Sequence, residues 1–452
     1  MAFAGEDVVP TSSRQLSNRL AIEGGDPVRV DPLPWELPGA YYIDAEEKRL
    51  VNQVIDARSP FRFYGLDAQG MVDRLEAEWC STFGHKHALG VNSGSAALHI
   101  ALAAFGVGPG DEVLVPGYMW VACLSAIVRT GAIPRLVDID QSFCMDPVDL
   151  ERKIGPRSKA VLIVNMSGAM GRNDRIAEIC RKHKLRLLED CAQAIGATLN
   201  GRPAGSFGDI GIYSFQLNKN MTSGEGGLLV TEDLDLYKRC AALHDLGYAR
   251  NEEGRLDPSD ERYQFWGTGS RMSELSGAMA LAQMRKVRMI TGKMRAAKWK
   301  IREAIKDIPG LGLRDVVDPA GDTGPVLITV YPTAAACQRF VEAIKAEGIR
   351  GPEGSLTCIT MREWGMHWYF NIPSLVKKRS NAREGFPWTH PANAFAAEYS
   401  YDRGALPSCD SLADRAALLT ISSVLTDKDV DDIISAFWKV GNALSSRDKA
   451  AE

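Results

Sequence analysis

No apolar run in this 452-residue sequence approaches the ~20 residues that a bilayer-spanning helix needs. Met1 to Pro10 carries acids and no long apolar core, so a signal peptide is not expected. A basic stripe is also missing, and the formal net charge of -4 argues against nucleic acid as a partner. The nine cysteines are odd in number and contain no CxxC pair, which excludes an obvious disulfide frame or zinc knuckle. Buried thiols in a reducing cytoplasm are expected instead. Seven histidines offer no HExxH spacing, and His85 and His87 fall two apart in an expected loop, so no metal site is expected.

What is present is ordinary globular material, 45% hydrophobic and 24% charged, long enough for two domains. The chain divides into an N-terminal arm over 1–45, a large α/β domain over 46–290 and a smaller C-terminal domain over 291–452. Residues 1–20 are polar and read as a loose arm. Glu46, Glu47, Leu50, Val51, Val54 and Ile55 repeat at helical spacing, as do Met71, Leu75, Trp79 and Cys80. Between these helices, Arg62-Phe63-Tyr64-Gly65 is more aromatic than a linker requires.

From His87 onward the pattern is strand, turn, helix, repeated. Strands are expected at His87–Val91, Glu112–Val115, Pro134–Asp138, Ala160–Val164 and Leu185–Leu188, with helices between them. Near-continuous apolar strands separated by helices imply a mostly parallel sheet covered on both faces. Such sheets bind ligands beyond the carboxyl ends of their strands. Several chemistry-bearing residues fall there. Asn92-Ser93-Gly94-Ser95 opens a helix and suits a phosphate, although a serine cap without a ligand is common. Trp120 follows one strand, Asp190 and Gln193 another, and Ser214 and Lys219 a third.

Lys219 lies between two apolar runs, Ile212–Phe215 and Leu228–Val230, with Gly224-Glu225-Gly226-Gly227 as the turn signal. Part-burial there would depress the amine pKa and favour Schiff-base chemistry; the alternative is a surface lysine in a hairpin. Asp190 can equally be a helix cap, and Trp120 a packed core aromatic. Pyridoxal phosphate explains all of them together. It needs a lysine for the Schiff base, a carboxylate for the ring nitrogen, an aromatic for the ring face, and hydroxyls at a helix N-terminus for the phosphate.

The stretches Asn92–Leu98, Leu188–Ala197, Ser214–Lys219, Gly224–Gly227 and Arg271–Leu275, with Ala21–Gly25, resemble the DegT/StrS family of sugar aminotransferases. The resemblance covers most of residues 20–300 in order. It implies a fold-type-I, aspartate-aminotransferase-like large domain, a mostly parallel sheet with a smaller α+β C-terminal domain, a homodimer with shared active sites, and pyridoxal 5'-phosphate. By that resemblance Lys219 is the Schiff-base lysine and proton shuttle, and Asp190 the pyridinium partner. Trp120 stacks on the ring, Gln193 touches its hydroxyl, and Gly94, Ser95 and Ser214 hold the phosphate. Arg271 reaches across from the second subunit. Gln216, Asn218, Gly269 and Asn165-Met166-Ser167-Gly168 depart from the family's usual His, Thr, Asn and His-x-x-Gly. Those departures put the cross-subunit phosphate contact at Gly269 in doubt.

Within the family, Arg62-Phe63, Ser167–Met170 and Asp318–Asp322 are most similar in texture to the enzymes making 8-amino-3,8-dideoxy-octulosonate. On that footing Arg62, with Tyr64 beside it, meets a substrate carboxylate; the alternative for Arg62 is a structural ion pair. The implied activity is amino transfer from L-glutamate, or another amino acid, to a keto group of a sugar, keto sugar acid or cyclitol. A pyridoxal-phosphate lyase or dehydratase on a deoxysugar, and a non-enzymatic relative, remain alternatives. Retention of Lys219 favours transamination. In the last third a strand at Val326–Val330, a helix at Ala334–Glu347 and a terminal helix at Val430–Leu444 are expected. Residues 350–417 read as long, irregular and aromatic, a wall of the acceptor site or a dimer contact. His367 and His390 within them read as structural.

Overall fold

The computed structural model describes residues 19–451, so the loose arm expected over residues 1–20 lies, up to residue 18, outside the described residues. The described N-terminal segment packs on the C-terminal third. Glu347 accepts the Ala21 and Val28 amides at 2.8 and 3.1 Å, and Leu20 and Leu33 are buried among small-domain residues.

Helices α1 (Ala45–Asp56) and α2 (Met71–Phe83) come first; α2 buries Met71, Leu75 and Trp79 of its expected stripe, while α1 buries Glu47, Leu50 and Val54 but leaves Ile55 of its stripe exposed. Asp44 and Glu47 form a capping box at the start of α1. The α/β pattern comes next: β1 (His87–Val91), α3 (Gly94–Ala104), β2 (Glu112–Pro116), α4 (Val121–Thr130), β3 (Ile133–Val137), α5 (Pro147–Lys153), β4 (Ser158–Val164), α6 (Asn173–His183) and β5 (Arg186–Asp190). A two-residue hairpin, β6 (Thr198–Leu199) and β7 (Arg202–Pro203), precedes β8 (Ile210–Ser214) and β9 (Gly227–Thr231), after which comes α7 (Leu234–His244). The small hairpin β10 (Ala249–Arg250) and β11 (Leu256–Asp257) leads to α8 (Glu274–Met284).

Seven strands form one sheet in the order β1-β9-β8-β5-β4-β2-β3. Only β9 runs against the others, as its antiparallel pairing with both β1 and β8 shows. Alternation sets the two faces: Val113 and Val115 enter the core under α3, α4 and α7, while Leu114 enters the core under α2, α6 and α8. The sheet is therefore doubly covered, as its apolar strands require. Register brings the carboxyl ends level, because Val91 and Ser214 both pair with Gly227, and Asp190 pairs with Ile212 and Val164.

Helix α9 (Val287–Ile305) is continuous across the expected boundary at residue 290. Beyond it, β12 (Gly312–Leu313), β13 (Val326–Val330), α10 (Ala334–Ala346), β14 (Cys358–Thr360), the short α11 (Pro373–Val376), α12 (Pro407–Arg415), β15 (Ala416–Thr420) and α13 (Asp427–Ala451) build the smaller α+β unit. Its antiparallel sheet has the order β12-β13-β15-β14. One face packs on α9, α10 and α13, while Ile328, Ile359 and Leu418 join the core of the large domain. No described helix is long and apolar enough to cross a membrane.

Candidate active site

The carboxyl ends of β1, β2, β5 and β8 deliver the sequence-predicted residues to one place. Ser93 caps α3, its Oγ accepting the Ala96 amide at 3.1 Å. The Gly94 and Ser95 amides at the first turn have no intrahelical partner and carry the positive end of the helix dipole. Ser95 is exposed and Ser214 is nearly buried. The two loops touch: a Cβ on Gly94 would stand 2.8 Å from Ser214 Cβ, so only glycine lets the helix start approach the end of β8. Two amides and a hydroxyl then face a common space, the donor set an anion takes.

Asp190 ends β5 and is buried. Its Oδ1 accepts the Ala192 amide at 2.9 Å and its Oδ2 accepts from the Cys123 thiol at 3.2 Å. No ion pair reaches it among the described residues, although a carboxylate offers about four acceptor sites. Burial pushes its carboxyl above the usual range, against the pull of the Ala192 amide, the Cys123 thiol and the Lys219 charge. Sequence reasoning carries no expectation for Cys123. It stands one helical turn after Trp120 on α4, which is the signal that could have found it. Burial and the Asp190 charge raise its own pKa well above the ordinary thiol value, so it remains a donor.

Lys219 stands in the loop between β8 and β9, tied down by a bridge between Gln216 and Gly224. Its backbone amide donates to Gln216 O at 2.9 Å, while its side-chain amine makes no hydrogen bond to any described residue. Burial lowers the amine pKa, with the Asp190 and Cys123 charges acting the other way. A buried carboxylate and a neighbouring depressed amine, neither satisfied by the other, suit a ligand bearing a cationic nitrogen at one end and a carbonyl at the other. The residues present fit pyridoxal phosphate in chemistry and in placement.

Gln193 lies half-buried beside Asp190, its Oε1 accepting the Ser167 amide at 2.9 Å. Ser167 thus fills the stretch where the family pattern has His-x-x-Gly. Trp120 is 42% exposed at the start of α4. Its ring meets His367 at 4.8 Å between centroids, and His367 meets Trp364 at 4.8 Å. The backbone of His367 accepts the Met119 amide at 2.9 Å, and Trp368 stacks on Tyr118 at 4.3 Å. Burial pushes the imidazole of His367 down to about 4, with the Lys219 charge also lowering it and the Trp364 carbonyl opposing. The imidazole is therefore neutral, and it lies near enough to Lys219 to feel its charge.

That contact resolves the aromatic segment into two parts. Trp364 and His367 lie on the Trp120 side of the site. The stretch with Trp388, His390, Tyr399 and Tyr401 instead packs at the amino ends of β2 and β3, where Tyr401 donates to Pro134 O at 2.8 Å and Tyr399 to Glu112. It does not reach the site, so for that half the expectation of a site wall is corrected.

Three expected substrate residues stand apart. Arg62 is buried and gives its Nη2 to Asp73 and Glu76 at 2.9 and 3.0 Å, so its charge is spent on a structural ion pair beneath β1. Of the two readings of Arg62, the structure shows the ion pair and not a group free for a substrate carboxylate. Tyr64 is exposed and rests on Phe61. Arg271 pairs with buried Asp245, which also binds Arg250. Neither Tyr64 nor Arg271 contacts Lys219 or Asp190 within this chain. Gly269 offers only backbone, its amide donating to Asp245 O at 2.7 Å.

A model of the DegT/DnrJ/EryC1/StrS aminotransferase family matches residues 42–352. The chain is similar to L-glutamine:2-deoxy-scyllo-inosose aminotransferase of Micromonospora echinospora, 30% identical over 430 residues, spanning 93% of this chain and 97% of that protein. GDP-perosamine synthase of Caulobacter vibrioides is 40% identical over 218 residues, 48% of this chain and 56% of that protein. Among solved structures, S. venezuelae DesV in complex with a ketimine intermediate superposes with a TM-score of 0.73 at 26% identity, covering 91% of this chain and 99% of that one.

Proposed function

The chain belongs to the DegT/DnrJ/EryC1/StrS aminotransferase family, and from that premise we propose a pyridoxal-phosphate-dependent transfer of an amino group to a keto-cyclitol or keto-sugar. The observation that carries the reading is the pairing of a buried, un-ion-paired Asp190 with a depressed, unbonded Lys219 amine at the carboxyl end of one sheet. A keto-cyclitol is the first choice of acceptor, because the cyclitol aminotransferase matches over nearly the whole of both chains. L-glutamine is then the first choice of donor, with L-glutamate the second.

Pyridoxal phosphate, when bound, supplies an electron-withdrawing ring that makes the donor's Cα–H acidic. Every other part belongs to the chain. Lys219 Nζ, kept neutral more readily by burial, would take the proton from the donor Cα and deliver it onward. Asp190 would accept the N–H of the ring nitrogen and keep it protonated, which would stabilise negative charge as it develops. Gln193 would donate to the ring oxygen, Trp120 would cover one ring face, and Gly94, Ser95 and Ser214 would bind the phosphate. Such a cycle is ping-pong, with the keto acid released before the acceptor binds.

We further propose a homodimer in the cytoplasm. Trp266, Leu66 and Tyr64 are 96%, 83% and 58% exposed, large apolar side chains of the kind a second copy would cover. A second copy would also bring its Arg271 and Tyr64 towards the acceptor. All nine cysteines are free, which suits a reducing compartment.

The test is a half-reaction screen. Enzyme charged with an amino group from L-glutamine is offered keto-cyclitols, nucleotide-linked keto-sugars and keto sugar acids, and the aminated product is weighed by mass spectrometry. Amination of a keto-cyclitol supports the reading. Release of ammonia with no amine product would favour a lyase and contradict it.

A further inference from the structure

Arg314, directly after β12, is a fully buried guanidinium that no described carboxylate pairs. It donates from Nε to Ser142 O at 2.7 Å and from Nη1 to Met166 O at 2.9 Å. Its Nη2 faces Ala169 O at 3.4 Å and Cys144 Sγ at 3.6 Å. The nearby acid Asp322 is already committed, to Lys298 at 2.6 Å and to Trp299 Nε1 at 3.1 Å. A buried cation held by carbonyls alone is costly, so stability alone gives poor reason for it.

Two of those carbonyls belong to one turn, Met166 to Ala169, at the carboxyl end of β4. Ser167 and Gly168 there both have left-handed backbones, with φ of 56° and 81°. The small domain grips this turn a second time: the amide and hydroxyl of Thr323 both donate to Gly168 O at 3.0 Å. A Cβ on Gly168 would meet Pro325 Cδ at 2.2 Å, so the close approach requires glycine. Thr323 Oγ1 also accepts from Asn220 Nδ2 at 3.4 Å, next to Lys219.

Inside the turn, the Ser167 amide donates to Gln193 Oε1 at 2.9 Å. With its carbonyl oxygen turned to that amide, Gln193 keeps an NH2 that no described residue takes up and that is left to donate. We propose that Arg314 is a positioning residue: by holding the 166–169 carbonyls it fixes the Ser167–Gln193 contact and presents Gln193 as a donor to the cofactor's ring oxygen. The proposal rests on the role given to Gln193 under the proposed function. A donor at that oxygen weakens its pull on the Schiff-base proton, so the proton leaves at lower pH.

The measurement is the pH midpoint of the Schiff-base absorbance in full-length holoenzyme. Gln193→Ala should raise it by roughly half to one pH unit, the size of one hydrogen bond to a single protonation state. Arg314→Lys keeps the charge but loses the fork, and should raise the midpoint similarly. The double variant should move no further than Gln193→Ala alone. Arg314→Gln serves where the lysine variant does not fold, with the same expected rise. A midpoint that moves in Gln193→Ala but stays at the wild-type value in Arg314→Lys, or shifts that add in the double variant, would overturn the proposal and leave the proposed function standing. An unmoved midpoint in Gln193→Ala would instead overturn the role of Gln193, and the proposal with it.

Discussion

Replacing Asp190 with asparagine should slow amino transfer by about three orders of magnitude and leave the fold in place. The substitution is isosteric and keeps an acceptor for the Ala192 amide, now at 2.9 Å. What it removes is a charge. Two unit charges about 3 Å apart interact by roughly 5–6 kcal/mol at the effective dielectric of about 20 that suits buried sites. Desolvation of the pair offsets part of this, and the amide keeps a neutral hydrogen bond of about 1 kcal/mol. Some 4 kcal/mol remains, or about 10³ in rate. The assay is a single-turnover half-reaction with the donor amino acid, followed by absorbance, with a urea midpoint to check folding. Reconstitution with a cofactor methylated on the ring nitrogen carries the charge covalently and should restore part of the lost rate. A loss of only a few-fold in a folded variant would refute the pyridinium role.

Lys219→Gln should abolish turnover at unchanged stability; near-wild-type activity would remove the lysine from the chemistry. Gly94→Ala drives a Cβ to 2.8 Å from Ser214 Cβ and should weaken cofactor binding by about tenfold or more, read by titrating apo-enzyme with cofactor. An unchanged Kd would mean the phosphate sits elsewhere. Glu76 gives a pH dependence. Burial pushes its carboxyl from 4.5 up to about 7, against Arg62 and the Gly90 amide. The folded protein then holds a proton that the unfolded chain releases between those values. That stability is complete below about pH 4.5 and is lost as pH rises through about 7, by at most about 3 kcal/mol. Glu76→Gln should remove this slope from denaturation curves recorded between pH 5 and 8, and an unchanged slope would assign it to another group.

The large domain is legible in the sequence because its strands are buried on both faces and read as continuous apolar runs; β1 falls at the residues expected, and β2 differs by one. Lys219, Asp190, Gly94, Ser214 and Trp120 are legible for a related reason, since a parallel sheet gathers at one edge the residues that come after each of its strands. The segment at 350–417 is not. Its local pattern hides β14 and α12, whose burial depends on partners distant in sequence, such as β15 against β14. His367 reads as structural, in keeping with its backbone hold on Met119, but nothing nearby in the sequence says that its ring turns towards Trp120. The ion pair of Arg62 is legible but its partners are not, because Asp73 and Glu76, one turn apart on α2, show no sign in the sequence of which face they present. Cys123 is one thiol among nine in the sequence, although its contact with Asp190 is direct.

The central claim is that one amine, that of Lys219, carries the cofactor. Borohydride reduction of the cofactor-loaded protein, followed by peptide mass spectrometry, should find a single pyridoxyl adduct on the peptide containing Lys219. An adduct on any other lysine, or none on a preparation that has taken up the cofactor, would contradict the account.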